Sequence, residues 1–176
     1  MFKIENLKYK NILDVKNLEI RPNIVTTIVG KSGSGKTTLL KLLNKLISPE
    51  SGKVYYLGND LEQVDSIAHR RNVVMLSQTP VVFDGSVKDN LLIGLDFSEK
   101  PHPSDDKLIE VLHKVHLNLP LSADADKLSG GEKQRLSLGR ILLMNPEVYL
   151  LDEPSSALDK ETEGIVISTL YTHVKE

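Results

Sequence analysis

The sequence predicts an α/β fold built on a parallel sheet, and three stretches carry that prediction. Ile24 to Val29 is a mostly β-branched apolar run that reads as a buried strand, and Thr38 to Leu46 carries leucines at helical spacing. Between them lies Gly30-Lys31-Ser32-Gly33-Ser34-Gly35-Lys36-Thr37-Thr38. Far along the chain, Val148 to Leu151 is a second unbroken apolar run, ending in Asp152-Glu153-Pro154. Two carboxylates therefore stand at the carboxyl end of a strand, which is where open α/β sheets bind ligands.

The glycine stretch has a mechanism as well as a pattern. Two glycines separated by four residues, followed by Lys36 and Thr37, let successive backbone N–H groups curl around phosphate oxygens. Lys36 then reaches the outer phosphates, and the Thr37 hydroxyl is placed to ligate Mg²⁺. A strand, a glycine loop and a helix start in succession put the positive end of the helix dipole at the anion. The competing reading is a Gly/Ser turn between strand and helix. Asp152, after four apolar residues, is expected near Thr37 as the metal's carboxylate, and Glu153 is expected to orient or deprotonate an attacking water. Taken alone, the same pair reads equally as an acidic turn at a strand end.

The other elements follow in order. Phe2 to Leu7 and Val15 to Ile20 alternate apolar and polar residues and read as two half-exposed strands around the turn-like Lys10-Asn11. Pro49 to Gly52 reads as a break, Val54 to Leu57 as a strand before Gly58-Asn59, and Val73 to Leu76 as a strand ending at Ser77-Gln78. From Thr79 to about Lys127, prolines and glycines alternate with helical patterns, which predicts a mainly helical insertion. Leu128-Ser129-Gly130-Gly131 opens a helix over Glu132 to Met144, and Asn145-Pro146 ends it. Ile167, Leu170, Tyr171 and Val174 recur at helical spacing near the last residue. His113 and His116, three apart on one expected helix, lack a third ligand at diagnostic spacing and read as solvent-exposed.

Composition narrows the function classes. With 176 residues, 40% hydrophobic and 26% charged, the chain supports one globular domain with a core. A net charge of -2 gives no basic field, so nucleic acid is not expected as a partner. The absence of cysteine excludes a disulfide frame, a thiolate metal site and a cysteine nucleophile. Lys3 and Glu5 stand where a secretory signal needs an apolar block, and no later run approaches a membrane span. Any span is expected from elsewhere.

Leu128-Ser129-Gly130-Gly131-Glu132-Lys133-Gln134-Arg135 discriminates among phosphate-loop proteins, because it resembles the signature sequence of ABC ATPases. A serine and two glycines at a helix start offer a hydroxyl and unobstructed N–H groups to a phosphate, although an N-cap in an ordinary turn has the same composition. The resemblance extends to both flanks. Gly30 to Thr38 and Val148 to Glu153 look like the Walker A and Walker B segments, and Ser156-Ala157-Leu158-Asp159 is similar to the D-loop. Gln78 looks like the Q-loop glutamine, which in the family touches Mg²⁺ and the attacking water. Tyr9 resembles the aromatic residue that stacks on adenine, with a half-buried strand-end tyrosine as its alternative.

The resemblance implies a P-loop NTPase, RecA-like α/β core with an N-terminal antiparallel β subdomain and an inserted helical subdomain. It places the core at about 1–78 and 141–176 and the helical part at about 79–140. ATP is implied to contact Tyr9, Gly30, Ser32, Gly33, Ser34, Gly35, Lys36, Thr37 and Thr38. Mg²⁺ is implied on Thr37, Gln78 and Asp152, with Glu153 and Gln78 catalytic. Ser129, Gly130, Gly131 and Gln134, with the D-loop Ser156 and Asp159, are implied to act at a partner subunit's ATP. The family reading is an ATPase that powers a membrane transporter through ATP-driven dimerisation at the inner face of the cell membrane. Its expected partners are a separate permease chain, seated near Gln78 to Leu95 with Val82 and Phe83 exposed, and a second ATPase subunit, as in a homodimer. Gln78 to Phe83 with Val87 to Leu91 is similar to bacterial metal-export subunits. A soluble ABC ATPase of cluster assembly, repair or translation is the alternative. Two departures qualify the match. Lys31 stands where many transporters have proline. The family's phosphate-sensing histidine follows a strand that this sequence does not reach, so truncation before it is expected, and His173, in a helical pattern, is not its replacement.

Overall fold

The computed structural model describes residues 1–154 together with Gly164, Ser168 and Tyr171. The chain divides between Met75 and Leu76 into two compact units.

The first unit is an antiparallel sheet with two helices. Its strands are β1 (Phe2–Tyr9), β2 (Leu13–Ile20), β3 (Ser51–Tyr56) and β4 (Asn59–Asp60), in the order β2-β1-β3-β4. β1 and β2 run in register from Phe2 opposite Ile20 to Tyr9 opposite Leu13. Alternation along β1 sends Phe2 and Ile4 into the core, and the irregularity at Asn6, at φ 48°, shifts the parity so that Leu7 follows them; none is more than 1% exposed. Full burial of each such side chain stabilises the unit by about 1.5–3 kcal/mol. On its other side β1 pairs with β3, with a register shift between Glu5 and Lys8. Gly52 sits in that irregularity at φ 82°, where a Cβ would lie 2.2 Å from the Asn6 carbonyl oxygen. Glycine is therefore required there. The expected break at Pro49 to Gly52 accordingly lies partly inside β3, because the glycine accommodates the bulge rather than ending the strand. Helix α1 (Lys36–Leu43) buries Leu39, Leu40, Leu42 and Leu43, and α2 (Ser66–Asn72) is capped by Asp65, whose carboxylate accepts from the Ile67 and Ala68 N–H groups.

The run from Ile24 to Val29 is the main departure from the sequence reading. It forms no strand among the described residues, and Ile24, Val25 and Val29 are 57%, 61% and 85% exposed. A β-branched apolar run becomes a buried strand only when neighbours supply hydrogen bonds and cover on both sides. The sheet of the first unit, bounded by β2 and β4, supplies neither to these residues.

The second unit begins at Leu76, the last residue of strand β5 (Val73–Leu76), and contains helices α3 (Val87–Phe97), α4 (Asp105–Lys114) and α5 (Gly130–Met144) and strand β6 (Val148–Leu151). α5 lies against both α3 and α4. Leu91, Leu108, Leu112, Leu136 and Leu138, all at most 1% exposed, form the shared core. Ser86 opens α3 with a capping box to Asp89. His116 stands beyond the end of α4 at φ 53°, with its N–H donating to the His113 carbonyl and the Leu117 N–H donating to that of Leu112. The expected pairing of His113 and His116 on one helix is thereby corrected: the helix ends at Lys114 and closes with the left-handed residue His116. No described helix is long and apolar enough to cross a membrane.

In the first unit, His69 is 3% exposed, among Phe2 and Tyr56. Its Nε2 donates to the Leu43 carbonyl at 2.8 Å, satisfying an orphan oxygen at the end of α1, while Nδ1 is buried with no partner among the described residues. Burial, and next the nearby charges of Lys45 and Arg70, hold its pKa below the usual imidazole value of 6.5, against the opposing pull of the Leu43 carbonyl. The unfolded chain therefore binds a proton that the folded one resists. Stability from this site is present above about pH 6.5 and is lost as pH falls below it. The thermal midpoint should fall on acidification from about pH 7 to about pH 5.5, and His69→Gln, which keeps a donor for Leu43 but does not titrate, should flatten that slope. An unchanged slope in the variant removes His69 as the cause.

Candidate functional site

The glycine loop lies in the first unit, at the start of α1. Gly35 caps the helix at φ 90°, a conformation that a side chain resists, and a Cβ there would lie 2.6 Å from a methyl of Leu13. The β1–β2 turn thus abuts the helix start. Ser34 N–H donates to the Lys31 carbonyl at 3.2 Å, which closes the loop. Lys36 Nζ folds back to donate to the carbonyls of Gly30 at 3.0 Å and Lys31 at 3.2 Å. Its ammonium therefore brackets the loop from the side. Gly30, Ser32, Gly33 and Ser34 are exposed, and Thr37 and Thr38 follow half-buried in the first helical turn, which carries no acidic residue. An anion here meets backbone N–H groups and a lysine with no carboxylate of that turn competing, so the residues fit a phosphate group. Tyr9 is half-buried at the end of β1, its carbonyl accepting from Ile12 N–H at 3.1 Å and Lys10 Nζ lying 5.3 Å from its ring centre.

The carboxylates lie in the second unit. Asp152 N–H donates to the Leu76 carbonyl at 2.9 Å, so β6 leaves its strand beside the end of β5. Asp152 is 5% exposed, whereas Glu153, at φ 48°, turns outward. Left-handed non-glycine residues such as Glu153, two past the end of β6, gather at functional sites. Gln78, two residues past β5, donates from Nε2 to Glu153 Oε2 at 2.9 Å. Two site residues singled out 75 positions apart are in contact. Thr37 falls in the other unit from Gln78 and Asp152.

The Ser129 segment forms the start of α5. Ser129 is an exposed N-cap in a capping box with Glu132: its hydroxyl and its N–H both donate to Glu132 Oε2, at 2.7 and 2.8 Å, and Glu132 N–H donates back to the hydroxyl. These two donors from Ser129, its hydroxyl first, hold the Glu132 carboxyl below its ordinary range. Gly130 has open space where a Cβ would stand, and Gly131 is half-buried in the first turn. Gln134 is only 2% exposed and donates from Nε2 to the Pro154 carbonyl at 3.3 Å. It faces the chain's own Glu153-Pro154 loop. Ser156 and Asp159, with His173, lie outside the described residues.

Comparison with known proteins joins these segments. A family described as "ABC transporter" matches residues 13–156. The chain belongs to the ABC transporter family. Among its relatives, the lactococcin-A transport/processing ATP-binding protein LcnC of Lactococcus lactis is 37% identical over 172 residues, covering 92% of this chain and 24% of its own length. The ABC-type transporter fsqE of Aspergillus fumigatus is 33% identical over 168 residues, covering 89% and 13%. The solved structure of a bacterial Atm1-family ABC exporter with ATP bound matches with a TM-score of 0.89 and 27% identity, over 99% of this chain and 33% of that one. The chain therefore spans a quarter or less of the length of these curated relatives.

Three features of this ABC segment escaped the sequence reading. Glu132 was accessible, since Ser-x-x-Glu at a helix start is a capping signal. The approach of Leu13 to Gly35, the burial of Asn90 and the partial burial of Arg140 had no local signal. The segment after Gln78 also differs from expectation: Val81 is 54% exposed and Phe97 62%, while Val82 and Phe83 are half-buried. Asn90 explains this, because its side chain both accepts from Phe83 N–H and donates to the Phe83 carbonyl.

The capping box makes Ser129 a structural residue as well as a signature residue. Ser129→Ala should lower stability by about 1 kcal/mol in chemical denaturation. A smaller effect below the pH at which Glu132 protonates should accompany it. No loss at neutral pH would show that the cap contributes nothing.

Proposed function

We propose that this chain is the ATP-binding and ATP-hydrolysing part of a membrane transporter and that it works by ATP-driven pairing with a second copy. The observation that carries the reading is the loop at α1, where Gly35 opens the helix and Lys36 brackets the approach. The structure that this chain resembles is that of an exporter with ATP bound, which supports both the nucleotide and export as the direction. The membrane span comes from outside these 176 residues, on a permease partner, and the exposed Val81 and Phe97 are candidates for its contact.

Each residue then has a task. The N–H groups from Gly30 to Thr38 and the Lys36 ammonium bind the phosphates, and Tyr9 offers a ring face to adenine. Mg²⁺, when bound, would supply neutralisation of phosphate charge. Its donors would be the Thr37 hydroxyl, the Gln78 amide oxygen and the Asp152 carboxylate, a set of hard oxygens that suits this ion. Gln78 uses its amide N–H on Glu153, which leaves the amide oxygen for the cation. That hydrogen bond also aims the Glu153 carboxylate, the group that takes the proton from the attacking water. Ser129, Gly130 and Gly131, with Ser156 and Asp159, serve the partner subunit's nucleotide. For this, Ser129 must exchange its Glu132 bond for a phosphate oxygen.

Calorimetry and sedimentation test the proposal in the complete protein. Lys36→Ala should abolish ATP binding, and unchanged affinity would reduce the loop to a turn. Ser129→Arg should leave ATP affinity within about twofold yet abolish ATP-driven pairing, because Ser129 is exposed and the added bulk and charge would oppose the partner's approach. Glu153→Gln, which keeps an acceptor for Gln78, should bind Mg²⁺-ATP and accumulate the closed dimer while hydrolysis falls about a hundredfold or more. A Glu153→Gln variant that stays unpaired at saturating ATP would overturn the pairing mechanism.

A further inference from the structure

Helix α5 reaches both loops that leave the strands of the second unit. Gln134 donates to the Pro154 carbonyl, one residue beyond Glu153. Three residues on, Ser137 Oγ donates to the Val81 carbonyl at 3.4 Å, and three further, Arg140 Nη1 donates to the same oxygen at 2.9 Å. Val81 stands three residues beyond Gln78. Arg140 makes two more hydrogen bonds, from Nε to the Asn90 carbonyl at 2.7 Å and from Nη2 to Asn90 Oδ1 at 3.0 Å, and its guanidinium lies 5.2 Å from the Phe83 ring centre. Asn90, fully buried, grips Phe83 at both its N–H and its carbonyl and also donates to the Ser86 carbonyl at 3.1 Å.

This arrangement is costly unless geometry is what it secures. Every one of these Arg140 hydrogen bonds goes to a neutral oxygen, and burial lowers its guanidinium to about 10, still charged at neutral pH. A half-buried charge with no ionic partner among the described residues contributes little net stability. A planar fork that meets three fixed acceptors does specify position, which a single ammonium cannot do. The stretch from Ser77 to Gly85 has no helix or strand of its own, so side chains must set its path.

We propose that Arg140 is a positioning residue for the Gln78–Glu153 pair: with Gln134 holding the Pro154 end, α5 sets the distance between the two strand-exit loops. A displacement of α5, the helix that begins at Ser129, is then transmitted to the pair. The proposal rests on the roles of Gln78 and Glu153 given above, but its first test does not require hydrolysis.

The test places cysteines at positions 78 and 153 of the complete protein, where the 176 residues contain no other thiol, and follows disulfide formation at that pair by peptide mass under mild oxidant. Arg140→Lys and Arg140→Met should slow that crosslink about fivefold or more while circular dichroism shows a folded protein. With Gln78 and Glu153 restored, Arg140→Lys should lower kcat about tenfold with KM for ATP within about twofold, and should add nothing in a Gln78→Ala background. A crosslink at the parental rate in Arg140→Lys, or effects of Arg140 and Gln78 that simply multiply, overturns the proposal. If Arg140→Met does not fold, Arg140→Lys alone decides. If the parent binds no ATP, the transporter reading fails while the crosslink still judges Arg140.

Discussion

The contact between Gln78 and Glu153 depends on a backbone hydrogen bond, from Asp152 N–H to the Leu76 carbonyl at 2.9 Å. It joins the exits of two strands that are far apart in sequence, so that the residues just beyond them, Glu153 and Gln78, can meet. The left-handed conformation of Glu153 then separates the two carboxylates, one buried and one exposed. A non-glycine residue in that region costs about 1–2 kcal/mol. The hydrogen bond from Gln78 offsets part of that cost and gives the exposed carboxylate a direction.

The two helix starts proposed to meet phosphate are built differently. α1 begins on Gly35, with no acidic residue in its first turn. α5 begins on Ser129, with Glu132 already against its hydroxyl and N–H. The macrodipole of α5 is thus met by its own carboxylate, whereas that of α1 is not. Electrostatics therefore favour α1 as the helix that takes an anion within this chain. A ligand at α5 must displace an internal bond, a requirement that suits a contact made only when two copies close. The same helix grips Val81 and Pro154 through Ser137, Arg140 and Gln134, so a change at its first residue reaches the loops of Gln78 and Glu153 through rigid structure.

The amino-acid sequence by itself determined the features that depend on neighbours a few residues away. Alternation in Phe2 to Leu7 encoded β1, the leucines after Lys36 encoded α1, and Ser129 to Gly131 encoded the start of α5, because strand and helix periods are local. The order of the motifs was sufficient for the family, since each motif is a contiguous string. Tertiary structure alone decided what depends on partners. Ile24 to Val29 has the composition of a buried strand and lies exposed, for want of paired neighbours among the described residues. Arg140 has no local signal for its hydrogen bonds and is half-buried, because the acceptors at Val81 and Asn90 come from 59 and 50 residues away. Gln134, polar and set in a charged stretch, is buried and holds Pro154 of its own chain, because the face that a helix buries is set by what packs against it.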